Sequence, residues 1–439
     1  MKNIGKLKIQ CYLEDTYIPI EGVKVEVTSS DEAFNHTGKI VEKCTNSEGN
    51  INEIDLELED CTTEKRPYGI FNIMLTKKGY KQHCVKGIQI FEGITSIQKC
   101  HLEKGMNSDC SCSHITIPEH KHVSQSCSKC NDNLKYNIKL KEETIKNDYK
   151  EEKNKDKKKS KKKCKCKSSK KHGYRVLDSV VVPSVITVHS GSPTNTAAPN
   201  HTVNFTDYIK NVASSEIYPS WNVDAIRANV YCIVSFVLSR VYSEWYPSKG
   251  YNFDITNDTA YDQAFVFGRN TFDTVDTIVD QLFNVYIRRD NEEKPLFAEF
   301  CNGTTSKCPG WLSQWGSQHL AQVGYVPYDI LTYYYGNNIN LVTAHEIEGY
   351  PSSYPGSLIT LWTTGKSVKT IQTQLNRIAE NYPVIPKLIA DGIYGPKTEA
   401  SVEIFQGIFN APKTGIVNKA TWYLISRVFT GVTKIEELN

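Results

Sequence analysis

Among its 439 residues the chain has no apolar run near the ~18 residues a helix needs to cross a bilayer, which argues against an integral membrane protein. A classical secretory leader is not expected either. Met1 to Leu13 alternates like a strand and carries Lys residues and Gln10 where a signal would be continuously apolar, so synthesis in the cytoplasm without classical export is expected. No Gly-rich phosphate loop occurs, and no nucleotide or inorganic cofactor is implied as a requirement. Net charge is only +3, yet residues 153–171 hold twelve Lys against one Asp, leaving −8 for the rest. Such a run is solvated and extended rather than a folded basic face, so nucleic acid is not an expected partner.

What is present divides the chain into several units, as its length requires. Residues 1–103 carry five segments of period-two alternation (6–13, 23–27, 40–44, 54–58 and 70–75) separated by Gly-containing turns, the pattern of a sandwich of short antiparallel strands. Residues 104–185 have few large apolar side chains and read as a disordered linker. Six of the fourteen Cys lie there. Cys110, Cys112, His114, His120, His122, Cys127 and Cys130 form a set that can bind zinc, although the spacing fits no closed finger; thiol cross-linking is the alternative.

The most informative stretch is 208–229. Glu216 stands among Ile217, Tyr218 and Trp221, just before a helix signalled by Asn222 as cap and by Val223, Ile226, Val230, Ile233, Val237, Val241 and Trp245 at spacings of three and four. Pro219 favours extended or turn geometry around it, so Glu216 is expected on a braced loop. Apolar neighbours raise a carboxyl pKa by desolvating its ionised form, which suits a general acid.

This stretch resembles the opening motif of the stage II sporulation protein D family. Tyr251–Gln263, Phe300-Cys-Asn-Gly-Thr-Thr305 and Leu312-Ser-Gln-Trp-Gly316 resemble three further motifs of that family in the same order, and 186–350 is identified as its domain. Here Cys308-Pro-Gly-Trp311 replaces a Gly-His-Gly-Val-Gly segment of the family, and Val234 stands where its first helix carries Arg. Residues 364–439 resemble the peptidoglycan-binding type 1 domain through Gln372, Leu375, Asp391-Gly392, Tyr394-Gly395-Pro396, Phe405-Gln406 and Trp422. The N-terminal unit resembles carboxypeptidase regulatory-like or collagen-adhesin B-type modules.

These resemblances imply a multidomain α+β protein: β-sandwich, disordered linker, α+β domain and C-terminal three-helix module. They imply a lytic transglycosylase acting on peptidoglycan glycan strands in sporulation or septal wall remodelling, with Glu216 as its single acid/base, in the mother cell, spore or wall. Gln263, Asn302, Thr304, Ser313, Gln314 and Trp315 fall at motif positions that can contact sugar, and Tyr394 can stack on one in the C-terminal module; bracing of loops is the alternative for each. Trp311, Asp254 and Asp262 carry less weight. Cys301 and Cys308 can form a disulfide, remain thiols or join a zinc site. Implied partners are glycan strands and other sporulation wall hydrolases. A non-catalytic wall binder or amidase enhancer is the main competing function, and a cross-linked spore-layer protein the third.

Overall fold

Where apolar and polar side chains alternate, a strand can bury one face and wet the other, and strands form there along the N-terminal unit. The computed structural model describes residues 3–29, 39–58, 66–105, 113–120, 122, 179–304, 308–349 and 353–433. Its first strands are β1 (Asn3–Leu13), β2 (Lys24–Ser29), β3 (Lys39–Cys44), β4 (Asn50–Leu58), β5 (Tyr68–Thr76), β6 (His83–Phe91), β7 (Thr95–Leu102) and β8 (Ser113–Thr116). One sheet runs β3-β2-β5-β6-β8, the other β7-β1-β4, and Leu7, Val25, Leu56, Ile73 and Val85 lie in the core between them. Contrary to the antiparallel expectation, β1 pairs parallel with β7, and β6 with β8. In the second case β7 intervenes in sequence, so no tight hairpin has to reverse the chain.

The sandwich also extends past residue 103. Residues 113–117 were expected in the disordered linker, but β8 pairs with β6 and the Ile117 N–H donates to the Lys86 carbonyl. Gly87, at φ 84°, permits this because a Cβ there would collide with the Ile117 carbonyl oxygen. Cys110, Cys112, Cys127, Cys130 and the lysine run lie outside the described residues.

Helices α1 (Phe205–Glu216), α2 (Val223–Tyr242), α3 (Asp273–Leu282), α4 (Gln314–Gln322) and α5 (Pro327–Tyr335) build the middle of the chain. The expected cap of α2 is present, Asn222 Oδ1 accepting the Asp224 N–H, and Ile226, Val230, Ile233 and Val237 of its stripe are buried; Val223 on the first turn and Trp245, past the helix end, are exposed instead. Contrary to the expectation that no run approaches bilayer-spanning length, Val223–Lys249 is long and apolar enough to cross a membrane by length and composition, but 72% of its most apolar window is buried inside the fold, as in a core helix. α1 has no counterpart in the sequence reading. Phe205, Tyr208, Ile209, Val212 and Ala213 are buried, but so are Lys210, Asn211 and Ser214, which blurs an amphipathic stripe.

A two-residue strand, Thr271–Phe272, joins this middle unit to the sandwich by pairing with Ile97 and Ser96 of β7. Phe272 is fully buried and meets Phe91 edge-on at 5.2 Å. The C-terminal unit has the three helices expected, α6 (Lys366–Ile378), α7 (Pro396–Ile408) and α8 (Lys419–Thr433), with Val402, Phe405 and Trp422 buried. One apolar cluster runs from Tyr68 and Phe91 through Phe272 to Phe405 and Trp422.

Polar links reinforce this continuity. Asp207 of α1 receives Lys99 Nζ of β7 at 2.8 Å and the Tyr17 hydroxyl at 3.2 Å. Burial opposes its charge, but Lys99, Arg427 and Lys210 together outweigh that effect and hold the carboxyl far below the usual carboxylate range. Asp207→Asn is expected to cost about 1–2 kcal/mol in denaturant unfolding at pH 7, a figure discounted for partial exposure. A depressed folded pKa gives stabilisation that is full above the unfolded value and lost as pH falls, so the gap to wild type should narrow below about pH 4. An equal gap at pH 7 and pH 2 would show packing rather than charge to be responsible.

Candidate active site

Glu216 is the last residue of α1, not a loop residue, and is 2% exposed. Its Oε1 accepts the Ala264 N–H at 2.9 Å and its Oε2 accepts Gln314 Nε2 at 2.9 Å. Segments separated widely in sequence therefore converge on one carboxyl group: the α1 end, the stretch after Gln263, and the start of α4. Ser313 fixes the last of these by capping α4, its Oγ accepting the Gly316 N–H at 3.0 Å. Gly303 has to be glycine here, since it combines a φ of 80° with a position where a Cβ would strike the Ser313 hydroxyl.

Aromatic rings wall one side. Trp221 and Trp315 lie 5.0 Å apart, and Tyr218 meets Trp315 edge-on at 6.3 Å. This cup is filled by the chain itself. After Ile117, the Pro118 carbonyl accepts Gln89 Nε2 and the His120 N–H donates to the Tyr68 hydroxyl at 2.9 Å. His120 then packs against Tyr218 at 4.5 Å, and His122 stacks on Trp221 at 5.5 Å and meets Trp315 edge-on at 5.6 Å. His122 Nε2 lies 2.8 Å from the Glu216 carbonyl oxygen, which can only accept, so Nε2 carries the proton. Burial pushes the Tyr68 phenol up to about 12.

Arg269, which the sequence reading missed, is buried behind this end of α1. Its guanidinium donates to Ser215 Oγ at 2.9 Å, Gln89 Oε1 at 3.0 Å and the Asn270 carbonyl at 3.2 Å, and burial lowers its pKa to about 10. Placing a cation at a helix C-terminus offsets the negative end of the helix dipole. Neither Arg269 nor His122 could be found from periodicity, because both depend on contacts between units.

Other expected site residues serve the scaffold. Gln263 is 1% exposed, donating to the Ile233 carbonyl and accepting the Tyr208 hydroxyl. Asp262 is buried too, paired with Arg240 at 2.8 Å and accepting from Tyr246 and Thr256. Asp254 Oδ2 accepts the Thr187 N–H, and burial raises its pKa. Asn302 Oδ1 accepts the Thr304 N–H in a tight turn, and its carbonyl accepts the Trp315 N–H. Cys301 and Cys308 are disulfide-bonded, closing this loop beside the half-exposed Trp311. Tyr394 is fully buried, its hydroxyl donating to the Gly415 carbonyl at 2.6 Å, so it offers no ring to a sugar. Of the zinc candidates, His120 and His122 lie together in the cup and His114 is exposed on β8. Among the described residues no cluster of three or more His, Cys, Asp or Glu could hold a metal. A cavity of about 950 Å³ between the units is lined by Tyr17, Lys99, Asp207, Phe265 and Arg427, and Glu216 is not on its wall.

In the C-terminal unit, Gln372 donates to Asp391 and the Ile393 carbonyl while its Oε1 accepts the Gly392 N–H, binding α6 to the 391–395 loop. Gly392, at φ 81°, needs the glycine expected of it; Gly395, at φ −88°, does not. Residues 364–425 match the model of the peptidoglycan-binding domain family. These residues are a peptidoglycan-binding domain. The match leaves 201–343 outside it, and no curated protein matches the chain. Among solved structures, the Bacillus anthracis TIE protein is 23% identical with a TM-score of 0.17, over 23% of this chain and 17% of that one. The 3-chlorocatechol 1,2-dioxygenase of Rhodococcus opacus 1CP is 8% identical with a TM-score of 0.16, over 26% and 60%. At such TM-scores neither likeness bears on fold or activity.

His122→Ala should uncover the cup. Acrylamide quenching of tryptophan fluorescence is expected to rise above wild type, and the increment to vanish when Trp221 and Trp315 are both Phe. Unchanged quenching would mean that the rings are covered by other groups.

Proposed function

We propose that the protein is a wall-targeted lytic transglycosylase that cleaves peptidoglycan glycan strands with Glu216 as acid and base. The observation that carries this reading is a buried carboxyl held between the Ala264 N–H and Gln314 Nε2 beside an aromatic cup, in a chain that also contains a peptidoglycan-binding domain. Protonated Glu216 gives its proton to the glycosidic oxygen as the bond from that oxygen to C1 of the muramic residue breaks. The C6 hydroxyl of the same residue attacks C1 and returns its proton to Glu216, leaving a 1,6-anhydro end without water or a second carboxylate. A paired carboxylate, which ordinary glycoside hydrolysis requires, is then unnecessary. Tethering to the wall raises the effective concentration of glycan at a weak site. A role in sporulation follows from the family resemblance alone.

Glu216 is 2% exposed and His122 stacks on Trp221, so on this reading substrate has to uncover the carboxyl group and displace His122 to use the cup. The same observation favours the second reading, a non-catalytic wall binder or amidase enhancer. The two separate on full-length protein incubated with peptide-stripped glycan strands and with intact sacculi, soluble products being identified by mass spectrometry. Anhydro-ended sugars from wild type, reduced at least a hundredfold in Glu216→Gln, are expected from loss of the general acid. Binding to sacculi with no product from either substrate would replace the enzyme by the binder.

A further inference from the structure

Tyr394 is buried, which leaves the peptidoglycan-binding domain without its expected aromatic contact. Just ahead of the matched residues lies another ring. Trp362 is 70% exposed, more than Trp245 (42%) or Trp311 (37%). It occupies the third position of a turn in which the Thr363 N–H donates to the Thr360 carbonyl at 3.0 Å, and its φ is +69° while that of Leu361 is not positive. That is the type II pattern, whose third position is normally Gly or Asn because a Cβ is strained there. A bulky ring held in a left-handed turn and projected into water lacks a folding rationale, and retained strain of this kind clusters at binding sites.

The turn is fastened to the wall-binding domain. The Trp362 N–H donates to the Tyr394 carbonyl at 2.8 Å, the Tyr394 N–H to the Thr363 carbonyl at 2.9 Å, and the Gly365 N–H to the Gly392 carbonyl at 2.9 Å. Exposed apolar side chains share this edge: Leu361 on the turn and Ile393 on the facing loop. Asp391 heads the same loop. Its Oδ1 is held by the Ile393 N–H and by Gln372, and these bonds keep its carboxyl below the usual range.

We infer that Trp362 is the stacking platform of a glycan-binding site that also uses Ile393 and Asp391, and that it takes the saccharide rings of the wall polymer rather than its stem peptides. The C–H faces of a pyranose are flat and apolar and match an exposed indole, while their equatorial hydroxyls match a fixed carboxylate acceptor on the facing loop. The site rests on the wall-binding reading of the domain, not on the chemistry of Glu216.

Trp362→Gly tests it in the full chain, because glycine suits the turn and removes only the ring. Affinity for peptide-stripped glycan strands, measured by co-sedimentation, is expected to fall about tenfold or more, as for loss of an anchoring aromatic. The thermal midpoint should hold or rise, since strain is relieved. Undiminished glycan binding by the folded variant would overturn the platform and leave wall binding intact. So would binding of wild type to intact sacculi that soluble stem peptides compete away and glycan strands do not. Failure of wild type to bind either polymer would instead overturn the wall-binding reading itself.

Discussion

Gln89 of β6 joins the sandwich to the middle unit, and the geometry around Glu216 depends on that seam. Its backbone N–H and carbonyl are both engaged by the Asn270 side chain, and its own Oε1 accepts from Arg269. Its Nε2 meanwhile donates to the Pro118 carbonyl. One buried residue thus fixes, through its backbone, the residue before the Thr271–Phe272 strand and, through its side chain, the cation behind α1 and the segment that leads to the aromatic cup. Such a network is strong only when every member is satisfied, and loss of any partner strands a polar group in a dry interior.

The sandwich therefore does more than space the other units. Because Phe272 packs on Phe91 and the middle unit adds a strand to β7, the sheet and the helices are parts of one core. The C-terminal domain joins it through Asn410 Nδ2, which donates to Gln10 Oε1, and the Tyr382 hydroxyl, which donates to the Tyr17 carbonyl. Binding of the wall through α6–α8 consequently acts on a body continuous with the candidate site, not on a freely tethered anchor.

Local patterns in the sequence were enough for β1 to β5, for α2 with its Asn222 cap, and for the three C-terminal helices, since each is specified by periodicity, capping or turn residues within one segment. They were not enough for α1, whose buried Lys210 is matched by Asp280 seventy residues away. The same limit explains the site. Glu216 and Gln314 were identified separately, and their hydrogen bond follows from the packing of α4 on α2, which brings the start of α4 to the end of α1. Gln263 and Tyr394 fell at motif positions that can face solvent or core, and only the surrounding fold decides between them. His120 and His122 were read from composition as donor atoms, which does not register the rings they stack upon.

The geometry around Glu216 is fixed from several directions. The Ala264 N–H and Gln314 Nε2 each engage one carboxyl oxygen, and the Arg269 guanidinium holds the neighbouring Ser215 at the same helix end. A general acid that works through one carboxyl group, as proposed, needs it held in one orientation. His122 adds a steric condition. Its ring stacks on Trp221 and meets Trp315 edge-on, so on the proposed reading a sugar that used these indoles would have to replace it. The energy for that exchange would then come from contacts made elsewhere on the chain.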